Sequence, residues 1–269
     1  MSLFESLVMG IIQGLTEFLP VSSSGHLALL GMIFSGSSSI DFTFLLHIGT
    51  FLATIVFFRH ELVAMIKSLA PKNKHMKGER HMVLALIIAT AVTGPIGLIL
   101  EPKLDKFSNS LVMLGCSFLL TTVVLSAAEF FSGNRGKRDP FTMSYWRAAF
   151  IGLAQGIAVL PGLSRSGATI AGGMGIGLNR EKATRFSFFL ALPIIFVGAL
   201  KDGVALAAGE LVLPGFWICL VGFVASFVAG YLAIRFMIDL VRRVKLYWFA
   251  GYTAVLGIVL LVLHFTGIA

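Results

Sequence analysis

The chain has 269 residues, 57% of them hydrophobic and 13% charged, with a mean hydropathy of +0.92 and a formal net charge of +8. A soluble domain is about 45–50% apolar and about 25% charged, so the apolar excess is more than one buried core can absorb and much of the surface must face lipid. The positive charge does not indicate nucleic acid, because no basic, aromatic-bearing soluble segment exists to carry that contact.

In chain order, the N-terminal residues carry Glu5 but no basic n-region and no small-residue cleavage site, so no signal peptide is expected. Residues 2–19 are apolar and stop at Pro20; Ser22-Ser23-Ser24-Gly25 follows, then a second short apolar stretch to about Phe34. Apolar stretches near 40–58, 82–100 and 110–128 come next, each close to the roughly 20 residues that cross the hydrocarbon. Residues 148–160 then stop at Pro161-Gly162, followed by Ser164-Arg165-Ser166-Gly167 and a small-residue stretch to Leu178. Three further spans lie near 184–200, 214–234 and 246–266. Cys116 and Cys219 fall within spans and read as packing residues, with no disulfide or metal cluster expected.

The two interrupted segments are copies of each other at an offset of 142 residues. Gly10, Gln13, Gly14, Ser22, Ser24 and Gly25 pair without gaps with Gly152, Gln155, Gly156, Ser164, Ser166 and Gly167. Proline removes a backbone donor and breaks a helix, and freed backbone groups cannot face lipid. Each segment therefore reads as a re-entrant hairpin of two half-helices, over about 2–34 and about 148–179. The expected fold is an all-α integral membrane protein forming a single domain over 1–269. Its first repeat covers 1–130 and its second 147–269, each a re-entrant broken-helix hairpin plus three transmembrane helices. Three crossings between the hairpins invert the second copy. Charge agrees: regions 59–81, 131–147, 180–185 and 235–245 hold 17 of the 21 Lys and Arg residues and would all be cytoplasmic under the positive-inside rule.

Few charged groups fall within the membrane segments, where they are costly and mark function. Glu17 lies four residues after Gln13, on one face of the first half-helix. Arg165 lies at the second hairpin tip, and its guanidinium suits a phosphate while staying charged when desolvated. Ser164, Ser166 and Thr169 add hydroxyls, Gly162 and Gly167 allow close backbone approach, and the half-helix N-terminus adds its dipole. The competing reading is a structural pair of Arg165 with Glu17 or a carbonyl. Glu17 and Gln13 supply oxygens for a hard divalent cation, or Glu17 acts alone as a general base. Ser23 and His26, just past the first break, fit nucleophilic hydrolysis or proton delivery, against the alternative of a satisfied core histidine. His60, His75 and His81 read as solvated, and His47 as packing or hydrogen-bonding within its span. Glu129 reads as interfacial. Gly172-Gly173-Met174-Gly175-Ile176-Gly177 reads as helix packing and not as a dinucleotide loop, since no strand precedes it.

QGLTEFLPVSSSGH over 13–26 and PGLSRSGAT over 161–169 resemble the two signature motifs of the bacterial undecaprenyl-diphosphate phosphatase family, also called the bacitracin-resistance protein family. The resemblance spans the whole chain. It implies a multi-pass enzyme of the bacterial inner membrane that converts undecaprenyl diphosphate to undecaprenyl phosphate and inorganic phosphate. That reaction recycles the lipid carrier for cell-wall synthesis and lowers sensitivity to bacitracin. It implies a polyprenyl diphosphate substrate, Mg²⁺ or Ca²⁺, and leaves room for a homodimer. The family's acidic motif falls on Gln13 and Glu17, its serine and histidine on Ser23 and His26, and its phosphate-binding arginine on Arg165. Gln13 stands where many members carry Glu, which weakens any scheme needing two carboxylates for the metal. The attacking group is Ser23, activated by Glu17 or His26, or a water held by the same residues. The competing class is a transporter, a flippase for polyprenyl phosphate, because inverted repeats with broken helices also build such proteins. The combination of Glu17, Ser23 and His26 favours chemistry. The first hairpin's mouth lies opposite the basic loops, so the site is expected to open to the periplasmic or outer face.

Overall fold

A computed structural model describes residues 1–34, 40–73, 75–132, 136–211 and 213–267. Within these residues the chain is helical, with no strand. The first interrupted segment forms α1 (Leu3–Phe18) and α2 (Ser23–Ile33). Next come α3 (Ile40–Phe57), α4 (Arg59–Ser68), α5 (Lys77–Leu100), the short α6 (Leu104–Ser108) and α7 (Leu111–Phe131). The second interrupted segment forms α8 (Tyr145–Ile157) and α9 (Arg165–Gly175). The chain ends in α10 (Arg180–Ala207), α11 (Phe216–Arg243) and α12 (Tyr247–Thr266). Helices α5, α7, α10, α11 and α12 are long and apolar enough to cross a membrane, and α3 with α4, bent by 76°, can supply a sixth crossing. Leu98, Ile99, Phe131 and Trp248 stand well exposed around them, as side chains bathed in lipid do.

The breaks fall where the prolines require them. Helix α1 starts at a capping box, Ser2 with Glu5, and ends two residues before Pro20. Helix α8 ends short of Pro161. Both second half-helices run for 11 residues and start under a serine cap: Ser22 Oγ accepts the Gly25 amide at 3.3 Å, and Ser164 Oγ accepts the Gly167 amide at 3.0 Å.

In lipid, helices associate by close packing and interhelical hydrogen bonds. Ser6, Gly10 and Gly14, spaced by four on α1, meet Gly222, Ser226 and Gly230, spaced by four on α11. A Cβ on Gly10 would sit 2.8 Å from the Ala225 Cβ, and one on Gly14 would sit 2.7 Å from the Ser226 carbonyl. Ser6 Oγ adds a hydrogen bond to the Ile218 carbonyl at 2.6 Å. Helices α7 and α12 meet through Gly115 and Gly257, each packed on the other's carbonyl, and through Thr122 and Thr253 hydroxyls 2.9 Å apart. Helix α8 packs on α5, where Thr93 Oγ1 donates to the Gly152 carbonyl at 2.8 Å. Gly173, in the glycine run, lies against Ala183 of α10, in keeping with a packing role.

Two regions read as loops, 180–185 and 235–245, are mostly helical: they are the first turns of α10 and the last turns of α11. Region 59–81 likewise contains α4 and the start of α5. Backbone hydrogen bonding propagates past the apolar stretch regardless of side-chain polarity, and Asn179 caps α10 only at its basic end. Ion pairs gather these regions on one side. Arg185 bonds Glu61 at 2.8 Å, Lys182 bonds Asp139 at 2.9 Å, and Arg242 bonds Glu181 at 2.6 Å. Buried Glu129, expected at the interface, accepts the Leu246 amide at 3.1 Å and lies 4.0 Å from Arg180. It ties the turn before α12 to this side.

Candidate active site

The two chain breaks touch. A Cβ on Gly25 would stand 2.9 Å from the Gly162 Cα, and Gly162 itself adopts φ +87°, a conformation that other residues reach only with strain. Ser166 Oγ donates to the Leu19 carbonyl at 2.9 Å, joining the start of α9 to the end of α1. Thr121 of α7 holds the second break from outside, donating to the Gly162 carbonyl at 3.1 Å and accepting the Ser164 amide at 3.0 Å.

Between the breaks lies a cavity of about 170 Å³ lined by Thr16, Glu17, Ser22, Ser23, Ser24, His47, Ser164, Arg165 and Ser166 with a few apolar side chains. Ser23 is the first residue of α2 and Arg165 the first of α9, so two helix N-termini face one space. Both bring first-turn amides and the positive end of a helix dipole. Glu17, with only 1% of its side chain exposed, is the hub. Its Oε1 pairs with Arg165 Nη2. Its Oε2 accepts Ser23 Oγ at 2.6 Å and Gln13 Nε2 at 3.0 Å. The Arg165 side chain, 21% exposed, has no acceptor on Nε or Nη1 among the described residues, which leaves donors free. Ser22 is the one described non-glycine residue at positive φ, +68°. Such a conformation costs on the order of 1–3 kcal/mol and persists where surrounding contacts over-determine it. Here it turns the chain so that Ser23 reaches Glu17.

Glu17, Ser23, Arg165, Ser164 and Ser166 come together, with Gln13 directly behind Glu17. Three predicted groups do not join the cavity. His26 donates from Nδ1 to the Ser22 carbonyl at 2.7 Å and accepts the Tyr252 hydroxyl on Nε2 at 2.6 Å, stacked on that ring, and does not line the space. The α2 helix carries it one turn past the break, toward α12. The Gly167 amide is taken by the Ser164 cap, which removes it as an anion donor. Thr169 lies one turn into α9 and bonds Ser187 at 2.6 Å. In turn, His47 was not read as a site residue, yet its Nε2 lies 3.9 Å from Glu17 Oε2. An ionisable side chain within a span was the available signal; which face of α3 it occupied was not legible. Thr121 carried no sequence signal at all.

For a divalent cation, the donor set offers one carboxylate, Glu17, and one buried amide oxygen without a partner, Gln13 Oε1. No group of three or more His, Cys, Asp or Glu exists among the described residues. Mg²⁺ takes one or two carboxylates with its other ligands from phosphate and water, so these residues fit an ion that a diphosphate completes.

Fold and site together define a polytopic helical membrane protein with a carboxylate, a serine and a guanidinium enclosed at the junction of two broken helices. The family model described as bacitracin resistance protein BacA matches residues 6–259, and the chain belongs to that family. Full-length similarity joins it to proteins named undecaprenyl-diphosphatase. That of Carboxydothermus hydrogenoformans is 38% identical over 99% of both chains. That of Bacteroides fragilis is 40% identical over 97% of this chain and 98% of its own. That of Korarchaeum cryptofilum is 38% identical over 97% and 99%.

Proposed function

We infer that the chain hydrolyses undecaprenyl diphosphate to undecaprenyl phosphate and inorganic phosphate. This returns the lipid carrier to cell-wall synthesis and confers bacitracin resistance. Full-length similarity to undecaprenyl-diphosphatases supports the reaction, and the observation that carries the chemistry is the joint hold of Glu17 on Ser23 and Arg165.

In this reading the terminal phosphoryl group enters between the two helix N-termini and is clamped by the free donors of Arg165 and the Ser164 and Ser166 side of the cavity. Positioning and charge stabilisation supply most of the rate in phosphoryl transfer. Ser23 Oγ attacks the terminal phosphorus and its proton passes to Glu17 Oε2. The bond from phosphorus to the bridging oxygen breaks, and polyprenyl phosphate leaves with the electron pair and takes that proton from Glu17. Water then cleaves the phosphoserine. Ser23 is favoured over His26 as the attacking group by its 2.6 Å bond to the carboxylate and by the diversion of His26 to Tyr252. A divalent cation held by Glu17 and Gln13 would neutralise charge on the phosphate oxygens. A flippase needs an anion site but no serine bonded to a carboxylate, so the site favours hydrolysis.

The inverted repeat, with halves 1–130 and 147–269, belongs to the same proposal. It is supported by the paired serine caps, the equal lengths of α2 and α9, and the parallel packing of α1 on α11 and α8 on α5. The gathering of basic residues on one side supports an inner-membrane orientation with that side cytoplasmic and the Lys201–Glu101 side periplasmic. One chain supplies every group of the site, so the reading requires no homodimer. Purified protein should release phosphate from C55 diphosphate, and EDTA should abolish the release until Mg²⁺ or Ca²⁺ is restored. No release under any cation would end this assignment.

A further inference from the structure

His47 carries one hydrogen bond among the described residues, from Nδ1 to the Thr43 carbonyl at 2.8 Å. A carbonyl only accepts, so Nδ1 bears the hydrogen and Nε2 presents a lone pair. That lone pair faces Glu17 Oε2 across 3.9 Å. Two acceptors at this separation make no direct hydrogen bond, but they can share one water that donates to both. Glu17 already has Arg165 as counter-ion, so the His47 imidazole is not needed as its charge partner. His47 also lines a second, larger cavity of about 530 Å³. That cavity meets the first at Ser24, His47 and Val159 and extends toward Glu101, Lys201 and Asp202. The imidazole thus stands where this vestibule joins the reaction space.

We propose that His47 and Glu17 together seat the water that cleaves the phosphorylated Ser23, a role that rests on the reading of Ser23 as nucleophile. In the resting site Glu17 Oε2 already accepts the Gln13 amide and the Ser23 hydroxyl, at 3.0 and 2.6 Å. Once Ser23 is phosphorylated its hydroxyl hydrogen is gone, and that place on Oε2 opens to water from the vestibule. The water gives one hydrogen to Oε2 and the other to His47 Nε2, which turns its lone pairs toward the phosphorus. Its oxygen bonds to phosphorus as the bond from phosphorus to Ser23 Oγ breaks, with the electron pair going to Oγ. The proton lost by the water passes to Glu17 and from there to Ser23 Oγ, and inorganic phosphate departs. His47 takes a hydrogen bond and no proton: it is a positioning residue.

The test compares purified wild-type, His47→Leu and His47→Gln proteins on C55 diphosphate in Mg²⁺, with acid-quenched samples digested and the Ser23 peptide weighed. His47→Leu should lower kcat about 10–100-fold, the scale of a misplaced reactant, with KM within about twofold. It should accumulate phosphate on Ser23 after a burst of polyprenyl phosphate. His47→Gln, whose amide oxygen also accepts, should regain most of kcat and lose the phosphopeptide. Wild-type turnover by His47→Leu, or slow turnover with no phosphopeptide, would overturn the water seat. So would a large rise in the Mg²⁺ needed for half-maximal rate, which would make His47 a metal ligand. Undiminished turnover by Ser23→Ala would instead remove the nucleophile assignment beneath it, so the two failures are told apart.

Discussion

Glu17 holds Ser23 with one oxygen and Arg165 with the other, so its two neighbours should respond differently to substitution. Ser23→Ala removes the attacking atom but leaves the ion pair; phosphate release should fall by about 10³-fold or more, on the scale of lost nucleophile and acid–base catalysis, with the melting temperature nearly unchanged. Arg165→Ala leaves a buried carboxylate without its counter-ion, a loss of about 3–5 kcal/mol in comparable buried pairs; both turnover and thermal stability in detergent should fall. Arg165→Gln turning over at wild-type rate would remove the phosphate clamp. Most of this centre was legible, because Glu and Arg are rare in apolar segments and Glu17, Ser23 and Arg165 each lie beside a break that proline and glycine announce. The partners of His26 and His47 were not legible. Helical spacing tells which residues share a face, but not which neighbouring helix that face meets.

Among elements, the second break depends on α7. Thr121→Val keeps shape while leaving the Ser164 amide and the Gly162 carbonyl without their hydroxyl partner. This should cost about 1–3 kcal/mol and lower kcat, measured by thermal unfolding and phosphate release. At the α1–α11 contact, Gly14→Val should destabilise by about 1–3 kcal/mol or more through overpacking against Ser226 and Ala229, and should lower the yield of folded protein. On the basic side, partial burial opposes ionisation of Asp139, but the Phe141 amide and the Lys182 ammonium hold its carboxyl below the usual carboxylate range. Its link to α10 is therefore present above the ordinary carboxylate pKa and is lost as pH falls through the depressed value. Proteolysis between 136 and 144 should stay constant from neutrality to about pH 4 and rise only below it. The half-helices were legible from Pro20 and Pro161. The helical character of 59–68, 180–185 and 235–243 was not, since charged residues mark the edge of the lipid but do not end a helix.

For the whole molecule, orientation is open to direct measurement. With Cys116 and Cys219 replaced by alanine, a cysteine at Lys72 should react with an impermeant thiol reagent only from the cytoplasmic side, and one at Lys103 only from the other. The reverse pattern would invert the topology. The long apolar helices could be read from hydropathy. The contact of the two breaks was expected from the convergence of the hairpin tips, although it joins residues far apart along the chain. That distance bears on how the protein is made. Glu17 and Arg165 are separated by 148 positions, so a nascent chain that has delivered only its first hairpin to the bilayer must carry an unmatched carboxyl there until the second is synthesised. Biogenesis is then a waiting problem, in which the early half stays a client of the insertion machinery and its quality control until its late-born counter-charge arrives.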